Sequence, residues 1–323
     1  MGPSLSPLKG GEGIRARLWS GAAPIPIWHH MSVRDALGDA LKLLPIERLR
    51  NPPPVVAVVR FEGVIGPRQW RSAVSLGSHA AALDRAFALK RLSAVAIAIN
   101  SPGGSPVQSA LLYRRIRELA EEKGVPVFAF AEDVAASGGY WLALAGDEIY
   151  AEEASLLGSI GVVTSSFGLN RLIERFGIER RLHTAGEKKA MLDPFLPEDP
   201  ADVVRLTALQ QDIHETFKEH VRRRRGGRID AADESLFSGE VLTGRMALSR
   251  GLIDGVGDLR SVMRARFGAG VRLLPIAAGR RRRWWLARSR PFAEREPAGS
   301  WAAPIADLLD WLEARALWAR FGL

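Results

Sequence analysis

Two apolar runs that each lead into a glycine-rich turn constrain the fold of this chain most strongly. Ala94–Asn100 is followed by Ser-Pro-Gly103-Gly104, and Val125–Ala131 leads into Ser137-Gly138-Gly139. Continuously apolar runs of this length are typical of strands that are covered on both faces, as in parallel sheets. Because helical spacing separates the runs, they predict βαβ units and functional sites at the carboxyl ends of the strands.

The remaining chain continues the alternation of strand-like and helix-like segments. Further strands are predicted at Val55–Phe61, Glu148–Ala151, Ile160–Ser165, Ile178–Thr184 and Val271–Pro275, and helices at 31–49, Ala80–Leu89, Val107–Glu121, Leu169–Phe176 and 199–224. A short helix and a turn are expected between Gly239 and Asp258. The predicted class is therefore α/β with a mostly parallel sheet.

Composition divides the chain into four regions. Residues 1–30 are rich in Gly, Pro and Ser, and we expect them to be disordered or to follow from an incorrectly assigned start codon. Residues 31–53 predict a helix and a proline-rich linker, and 54–275 the main domain. Residues 276–323 hold five of the nine tryptophans, and predict an Arg/Trp-rich linker and an amphipathic helix.

The charge and the residue types limit the classes of function. The chain has no cysteine, which excludes disulfides, cysteine nucleophiles and zinc-thiolate sites. The net charge of +9 is concentrated in two arginine blocks, which suggests local patches rather than a nucleic-acid-binding protein. For Arg222–Arg225 we favour a solvated helix end, and for Arg280–Arg283 a patch that faces an anionic surface.

The sequence predicts a cytoplasmic protein. No apolar run approaches the ~20 residues of a membrane-spanning helix, and residues 1–30 lack the pattern of a secretory signal. The amphipathic tail has three candidate contacts, namely its own protein, a neighbouring subunit and a membrane surface. Because tryptophan and arginine are favoured at membrane interfaces, our hypothesis is peripheral contact with the inner face of the membrane through residues 280–323.

The two glycine turns carry the elements of acyl-transfer chemistry. Such chemistry needs a nucleophile, a base, and N–H donors for the developing oxyanion. Ser137 is the candidate nucleophile, because the glycines that follow leave its hydroxyl unobstructed. The N–H of Gly138 and those of Gly103 and Gly104 are candidate oxyanion donors. A lone Ser-Gly-Gly usually reflects tight packing, but the second turn one βα unit earlier favours catalysis.

Local chemistry leaves the base open. A lysine can act only if its pKa falls by about 2–3 units from ~10.4, and Lys188 and Lys189 are equally good candidates on these grounds. His183 is a third candidate, since histidine needs no such shift. Ser159, in a Gly-Ser-Ile-Gly turn, is a candidate to orient a lysine amine by a hydrogen bond.

Five motifs in a fixed order give the sequence a family resemblance. They are Asn100-Ser-Pro-Gly-Gly, Ala136-Ser137-Gly-Gly-Tyr-Trp, Gly158-Ser159-Ile-Gly-Val, Gly186-Glu-Lys-Lys189 with Asp193-Pro-Phe, and Leu242-Thr-Gly-Arg-Met-Ala with Gly251-Leu-Ile-Asp. With these motifs the chain resembles the signal peptide peptidase A (SppA-type) family of serine–lysine peptidases, relatives of ClpP and the crotonases. The resemblance extends from about Pro54 to about Leu274.

The resemblance implies a ClpP/crotonase-like spiral of βαβ units without a metal or cofactor. It assigns Ser137 as nucleophile, Lys189 rather than Lys188 as general base, and Ser159 as the residue that orients the lysine. It also implies homo-oligomeric rings and substrates that are peptides or unfolded polypeptides, including residual signal peptides and membrane-protein segments. Family members usually carry an N-terminal membrane anchor; none is visible here, so soluble peptides are an alternative substrate.

Two other classes of function remain as alternatives. A crotonase-type enzyme that acts on acyl-CoA thioesters would use the same backbone donors with a nearby glutamate, for which Glu132 is the candidate. The other alternative is a catalytically inactive scaffold at a membrane surface. The Ser-Gly-Gly turn together with Gly-x-x-Lys favours peptide cleavage over both.

Overall fold

The structure is a computed structural model that describes residues 52–67, 73–230, 232–278 and 315–322. Its strands are β1 (Val55–Glu62), β2 (Leu92–Ser101), β3 (Val127–Ala136), β4 (Glu148–Ala151), β5 (Leu156–Gly158), β6 (Val241–Thr243), β7 (Gly255–Val256) and β8 (Arg272–Ile276). Its helices are α1 (Leu76–Phe87), α2 (Pro106–Lys123), α3 (Gly138–Ala143), α4 (Asn170–Arg175), α5 (Pro200–Arg225), α6 (Gly244–Ser249) and α7 (Leu259–Phe267).

The strands form one branched sheet. Six of them follow the order β6-β5-β3-β2-β1-β8, while β4 pairs with β3 and with β7. The branch arises because the first half of β3 pairs with β4 and its last residues pair with β5. All pairs are parallel except β5 with β6. This topology confirms the predicted α/β fold, with β2 and β3 as parallel neighbours.

Local signals in the sequence define the helix that follows the first glycine turn. Ser105 caps the N-terminus of α2 by accepting a hydrogen bond from the N–H of Gln108, and Pro106 occupies the first turn, where its missing N–H costs nothing. The helix ends at Gly124, whose φ of 63° is readily adopted only by glycine. The turn at Gly103-Gly104 is therefore held between a strand and a firmly started helix.

Two hydrophobic clusters cover the two faces of the sheet. The larger cluster packs α1, α2 and α3 on one face and includes Phe61, Ile97, Ile99 and Leu112, all fully buried. The smaller cluster lies on the other face, where Met263 of α7 packs against residues such as Phe128 and Phe130. Burial on both faces explains why Ala94–Ile99 of β2 and Val127–Ala131 of β3 are continuously apolar.

Two predicted strands are wrong. Neither Ile160–Ser165 nor Ile178–Thr184 has regular secondary structure. Apart from Ile160, both lie in the segment of residues 161–199, here called the arm, which contains α4 and is mostly exposed. A strand needs a neighbour that pairs with its N–H and C=O groups, and no described strand lies beside these residues. The local sequence alone therefore did not determine the structure of these segments.

The interpretation of Arg222–Arg225 as a solvated helix end is also wrong. Arg225 is only 2% exposed, and its guanidinium donates to both carboxylate oxygens of Asp254, at 2.8 and 3.1 Å. Arg224 donates to the carbonyl oxygens of Leu144 and Gly146, both at 2.8 Å. The arginines thus fasten the C-terminal end of α5 to the body of the domain.

The predicted region boundaries remain predictions. The predicted helix at 31–49 lies outside the described residues. Of the 276–323 region, the structure describes only 276–278, where β8 ends, and 315–322, of which 315–319 are helical. Among the residues that the structure describes, no helix combines the length and the apolar character needed to cross a membrane.

The Arg225–Asp254 pair generates the first testable prediction. Burial alone would raise the pKa of Asp254, but hydrogen bonds from Arg225 and from the N–H of Ile149 outweigh it and lower that pKa. A lowered carboxyl pKa stabilises the fold above the unfolded-state pKa of ~3.9, and this stabilisation is lost as the pH falls. We expect Asp254→Asn to reduce the free energy of unfolding at pH 7 by about 3 kcal/mol, because it leaves Arg225 buried without an anion.

Urea denaturation at pH 7 and at acidic pH measures this effect, and the gap between wild type and variant should shrink in acid. The matched control is Glu153→Gln, which removes the partner of Arg245 in an exposed ion pair. That substitution should cost less than about 1 kcal/mol. Equal losses from the two substitutions would contradict the importance of the buried pair.

Candidate active site

Ser137 lies on a strained turn between β3 and α3. Its φ of 51° and ψ of −121° are unusual for any residue with a side chain. The turn is held on both sides, because the Ser137 N–H donates to the Gly158 carbonyl at 2.9 Å and its carbonyl accepts from the N–H of Trp141 at 3.0 Å. Ser137 is partly exposed while its neighbours on both sides are buried. Strain maintained in this way is characteristic of functional residues.

The two glycine turns touch each other. A Cβ placed on Gly103 would lie 2.8 Å from the Cβ of Ser137 and 2.9 Å from the nitrogen of Gly138. A Cβ placed on Gly138 would lie 2.6 Å from the hydroxyl oxygen of Ser109. Gly103 therefore leaves no room for a side chain between the two turns, and a side chain at Gly138 would displace the hydroxyl of Ser109. The structure thus brings the predicted nucleophile and the predicted oxyanion glycines together.

Hydrogen bonding distinguishes Gly103 from Gly104. The N–H of Gly103 donates to the hydroxyl of Ser101 at 3.2 Å, so it is already engaged. Among the described residues, the N–H groups of Gly104 and Gly138 donate no hydrogen bond. A Cβ placed on Gly138 would lie only 3.3 Å from the nitrogen of Gly104, so these two unpaired donors are close neighbours.

Asn100 fixes the ends of the two strands that carry these turns. Its side-chain oxygen accepts from the N–H of Val134 at 3.2 Å, and its amide donates to the carboxylate of Asp133 at 2.7 Å. The pairing of β2 with β3 shifts register between Ile99 and Ser101, beside this residue. Asn100 therefore replaces strand pairing where the strands diverge, which explains its place at the head of the first motif.

Ser159 lies beside the nucleophile turn. Gly158, the preceding residue, accepts the hydrogen bond from Ser137, and the Ser159 N–H donates to the carbonyl of Glu240 at 2.7 Å. Ser159 is 7% exposed and has a φ of 49°, so it too occupies a strained, buried turn. The structure thus groups Ser159 with the two glycine turns.

The structure does not bring Lys189 to this group within the chain. Lys188, Lys189 and His183 all lie exposed on the arm. The N–H of Lys189 donates to the carbonyl of Gly186 at 3.1 Å, which closes a turn. Among the described residues, the amine of Lys189 makes no hydrogen bond or ion pair, and none joins it to Ser137 or Ser159.

The Asp193-Pro-Phe motif organises the arm itself. The Asp193 carboxylate accepts a hydrogen bond from the guanidinium of Arg180 at 2.8 Å and another from the N–H of Phe195 at 3.0 Å. These two hydrogen bonds lower the pKa of Asp193. The Arg180 guanidinium also lies over the ring of Phe195, 5.2 Å from its centre. The motif therefore holds the two ends of the loop that presents Lys189.

A group of side chains from α5, missed by the sequence reasoning, completes the site. Ile213 and Phe217 line a pocket of about 20 Å³ beside Ser137, together with Trp141. His214, one position along, hydrogen-bonds the carbonyl of Ile160 through its Nε2 at 3.1 Å and so supports the Ser159 turn. The sequence predicted a helix over 199–224, but no signal indicated which residues of the chain that helix covers.

Two sets of hydrogen bonds connect the Gly251-Leu-Ile-Asp motif to the elements around the site. The hydroxyl of Tyr140, two residues after Gly138, donates to the carbonyl of Leu252 at 2.7 Å, and burial raises the pKa of this tyrosine. Asp254 accepts the N–H of Ile149 at 2.8 Å in addition to its bonds with Arg225. The Gly251-Leu-Ile-Asp motif thus holds α3 in place through the hydrogen bond to Tyr140, and its role is structural.

Glu132 lies away from this site. Its carboxylate pairs with Arg60 at 2.6 Å and lines a separate cavity of about 800 Å³, whose lining includes neither Ser137, Ser159 and Lys189 nor the candidate oxyanion glycines. The cavity is bounded by residues of the smaller-cluster face, such as Val58, Phe130 and Leu273. Among the described residues, no group of three or more His, Asp or Glu side chains could hold a metal ion.

The chain is similar in sequence to one protein family and to several known proteins. Residues 119–269 match Peptidase family S49. Serine protease SPPA, chloroplastic, from Arabidopsis thaliana is 40% identical over 189 residues, covering 57% of this chain and 27% of that protein. A protein of Brucella abortus named Na(+)/H(+) antiporter NhaA is 49% identical over 300 residues, covering 90% of this chain and 40% of that protein.

A solved structure of a mutant 1510-N membrane-bound stomatin-specific protease covers 70% of this chain and 98% of its own, with 16% identity and a TM-score of 0.41. The chain spans less than half the length of the two relatives, so their names describe larger proteins. The family match covers the nucleophile turn, the Ser159 turn, the arm and α5. Residues 119–269, somewhat less than half of the chain, are therefore similar to Peptidase family S49.

Proposed function

We propose that the protein is a serine endopeptidase that uses Ser137 as nucleophile and Lys189 as general base. The observation that carries the proposal is the strained Ser137 turn packed against two unpaired, neighbouring N–H groups, those of Gly104 and Gly138. Such donors stabilise the negative charge that develops on a carbonyl oxygen during acyl transfer. The start of the 18-residue helix α2, just after Gly104, adds a positive potential there.

The reaction follows from these groups in two steps. The neutral amine of Lys189 accepts the hydroxyl proton of Ser137 while the hydroxyl oxygen of Ser137 bonds to the carbonyl carbon of the scissile peptide bond. The tetrahedral intermediate places its oxyanion on the N–H groups of Gly104 and Gly138, and the C–N bond breaks as the lysine returns the proton to the leaving amine. Water, deprotonated by the same lysine, then releases the acyl group and restores the serine.

Gly104 is preferred to Gly103 as the second oxyanion donor. The Gly103 N–H is already bound to Ser101, whereas that of Gly104 is unpaired. Gly103 has the separate role of permitting contact between the turns, because it leaves room for the backbone of Ser137 and Gly138. Ser159 is proposed to accept or donate a hydrogen bond that orients the amine of Lys189, since it borders the nucleophile turn.

We further propose that Lys189 reaches Ser137 across the interface of a homo-oligomeric ring. The arm that bears Lys189 exposes large apolar side chains, among them Phe167 at 83% and Phe176 at 70%. Several large apolar side chains left exposed in one segment support a role of the arm in a protein interface. Burial of the arm against a neighbouring subunit would also remove Lys189 from water, which favours the uncharged amine that a base requires.

The proposed substrates are peptides or unfolded polypeptides, including residual signal peptides and segments of membrane proteins. The names of relatives such as Serine protease SPPA support peptide cleavage. The acyl-CoA alternative lacks its glutamate, since Glu132 is paired with Arg60 away from Ser137. A cytoplasmic location with peripheral membrane contact through residues 280–323 remains part of the proposal and depends on their sequence alone.

Substitution of the dyad tests the catalytic assignment. We expect Ser137→Ala and Lys189→Ala each to reduce the hydrolysis of a fluorogenic peptide by at least about a thousandfold, because each removes a group that acts in the rate-limiting chemistry. Lys188→Ala is the matched control and should remain close to wild type. Labelling of Ser137 by a fluorophosphonate reports the nucleophile independently. Wild-type activity in Lys189→Ala would contradict the assignment of the base.

Mixed oligomers test the origin of the lysine. If the dyad forms between subunits, co-expression of Ser137→Ala with Lys189→Ala should restore about a quarter of the wild-type activity, since some interfaces then combine an intact serine with an intact lysine. The control mixes Ser137→Ala with the Ser137→Ala/Lys189→Ala double variant, which offers no intact serine and should remain inactive. Absence of recovery in verified mixed oligomers would show that one subunit supplies both residues.

A further inference from the structure

A cavity of about 800 Å³ lies on the sheet face that α7 covers only in part. Val56 and Ala94, near the starts of β1 and β2, are fully buried in the cluster that includes Met263 of α7. Toward the carboxyl ends of the strands the cavity opens, and Val58 and Phe130 line its apolar floor. Cavities of about 300–1,000 Å³ are typical of occupied binding sites, so this one has room for several side chains.

The rim of this cavity is acidic. Of the described residues that line it, the charged ones are Glu132, Asp133, Glu152 and Asp258, which are acidic, and Arg260, which is basic. An apolar floor with an acidic rim suits a segment that combines large apolar side chains with cationic ones.

Two of the four carboxylates lack a cationic partner. Glu132 pairs with Arg60 at 2.6 Å, and Asp258 caps α7 by accepting hydrogen bonds from two backbone N–H groups. Within the part of the chain that the structure describes, Asp133 and Glu152 form no ion pair, and both are exposed. The rim therefore has two carboxylates that are available to cations.

We propose that this cavity receives residues 280–286 of the same chain. The segment has the sequence Arg-Arg-Arg-Arg-Trp-Trp-Leu, so four cationic side chains precede three large apolar ones. In the proposed arrangement the tryptophans cover the floor, and arginines pair with Asp133 and Glu152. The inference goes beyond the proposed peptidase function and does not depend on it.

The path of the chain favours this segment as the occupant. Pro275 of β8 lines the cavity, and residues 280–286 follow it closely in sequence. The exit of β8 is held in place, because the guanidinium of Arg85 donates to the carbonyl of Ala277 at 2.6 Å. An extended chain spans about 3.3–3.6 Å per residue, so the segment has ample reach to enter the cavity. The chain that precedes β1, by contrast, joins the sheet at the amino end of that strand.

The chemistry of the segment matches both parts of the cavity. A guanidinium forms paired, charge-assisted hydrogen bonds with a carboxylate, which suits the arginines to the rim. A tryptophan side chain buries about 150–250 Å² of surface, and removing its apolar part from water is favourable. The anionic surface that Arg280–Arg283 were predicted to face is then the carboxylate rim of the protein itself. Residues 287–323 are left for contact with a membrane.

Photo-cross-linking in the full-length protein tests the location of the segment. Trp285 is replaced by p-benzoylphenylalanine, which retains a large aromatic side chain, and the irradiated protein is digested and analysed by mass spectrometry. We expect cross-links within one chain to peptides that line the cavity, such as 130–133 and 257–260. The matched control carries the same probe at Trp301, outside the proposed segment, and should not label these peptides.

Two outcomes of this experiment would assign the segment elsewhere. Cross-links between chains, which denaturing gels separate from those within a chain, would assign the cavity to a second copy and overturn the inference. The cross-links should also form in the presence of phosphatidylglycerol vesicles. Their loss there would place the segment on the lipid surface and would likewise overturn the inference.

Charge reversal at the rim tests the ion pairs. Trypsin cleaves after arginine only where the backbone is free, so docking slows cleavage after Arg280–Arg283. We expect Glu152→Lys to raise that rate by at least about fivefold, because it replaces attraction to the arginines by repulsion. The matched control is Glu153→Lys, since Glu153 pairs with Arg245 and does not line the cavity. Cleavage after Arg295 should stay constant and serves as the internal reference.

The trypsin assay is run in the Ser137→Ala background, so that cleavage of the chain by its own activity does not contribute. Equal rates in the Glu152 and Glu153 variants would overturn the inference. Because neither measurement depends on peptide hydrolysis by this protein, such a result would leave the proposed peptidase function unaffected.

Discussion

The site depends on one backbone contact, the approach of the turn after β2 to the turn after β3. Gly103 meets the backbone of Ser137 and Gly138 so closely that no side chain fits between them. This contact sets the direction of the N–H groups of Gly104 and Gly138 relative to the nucleophile. Two neighbouring interactions help to maintain the contact. Asn100 bridges the two strands, and Ser105 caps the helix α2 that follows the first turn.

Much of this arrangement could be predicted from the sequence. The strands β1, β2, β3 and β8 are apolar runs bounded by Gly or Pro, and both glycine turns follow directly from such runs. Ser137, Gly103, Gly104 and Gly138 were expected to converge because parallel neighbouring strands end at the same edge. The motif around Asp254 was recognised, but its role in holding α5 through Arg225 was not.

The rest could not be predicted because it depends on partners that are distant in sequence. The sequence of the arm suggests strands, yet a strand requires a pairing neighbour, and no strand of the described part of the chain lies beside it. The choice between Lys188 and Lys189 depends on what surrounds an exposed loop. The pocket wall arises from Phe217 meeting Trp141, a contact between residues whose sequence patterns indicate only burial.

The antiparallel pairing of β5 with β6 has an architectural consequence. These two short strands are neighbours in the sheet, yet residues 159–240 lie between them in sequence. The arm and α5 together are therefore one long excursion whose exit and return are hydrogen-bonded side by side. The arm is mostly exposed, so its length and composition can change without altering this strand pairing, whereas α5 is held to the scaffold through Phe217 and Arg225. The scaffold that bears the serine and the arm that bears the lysine are therefore free to diverge as separate modules.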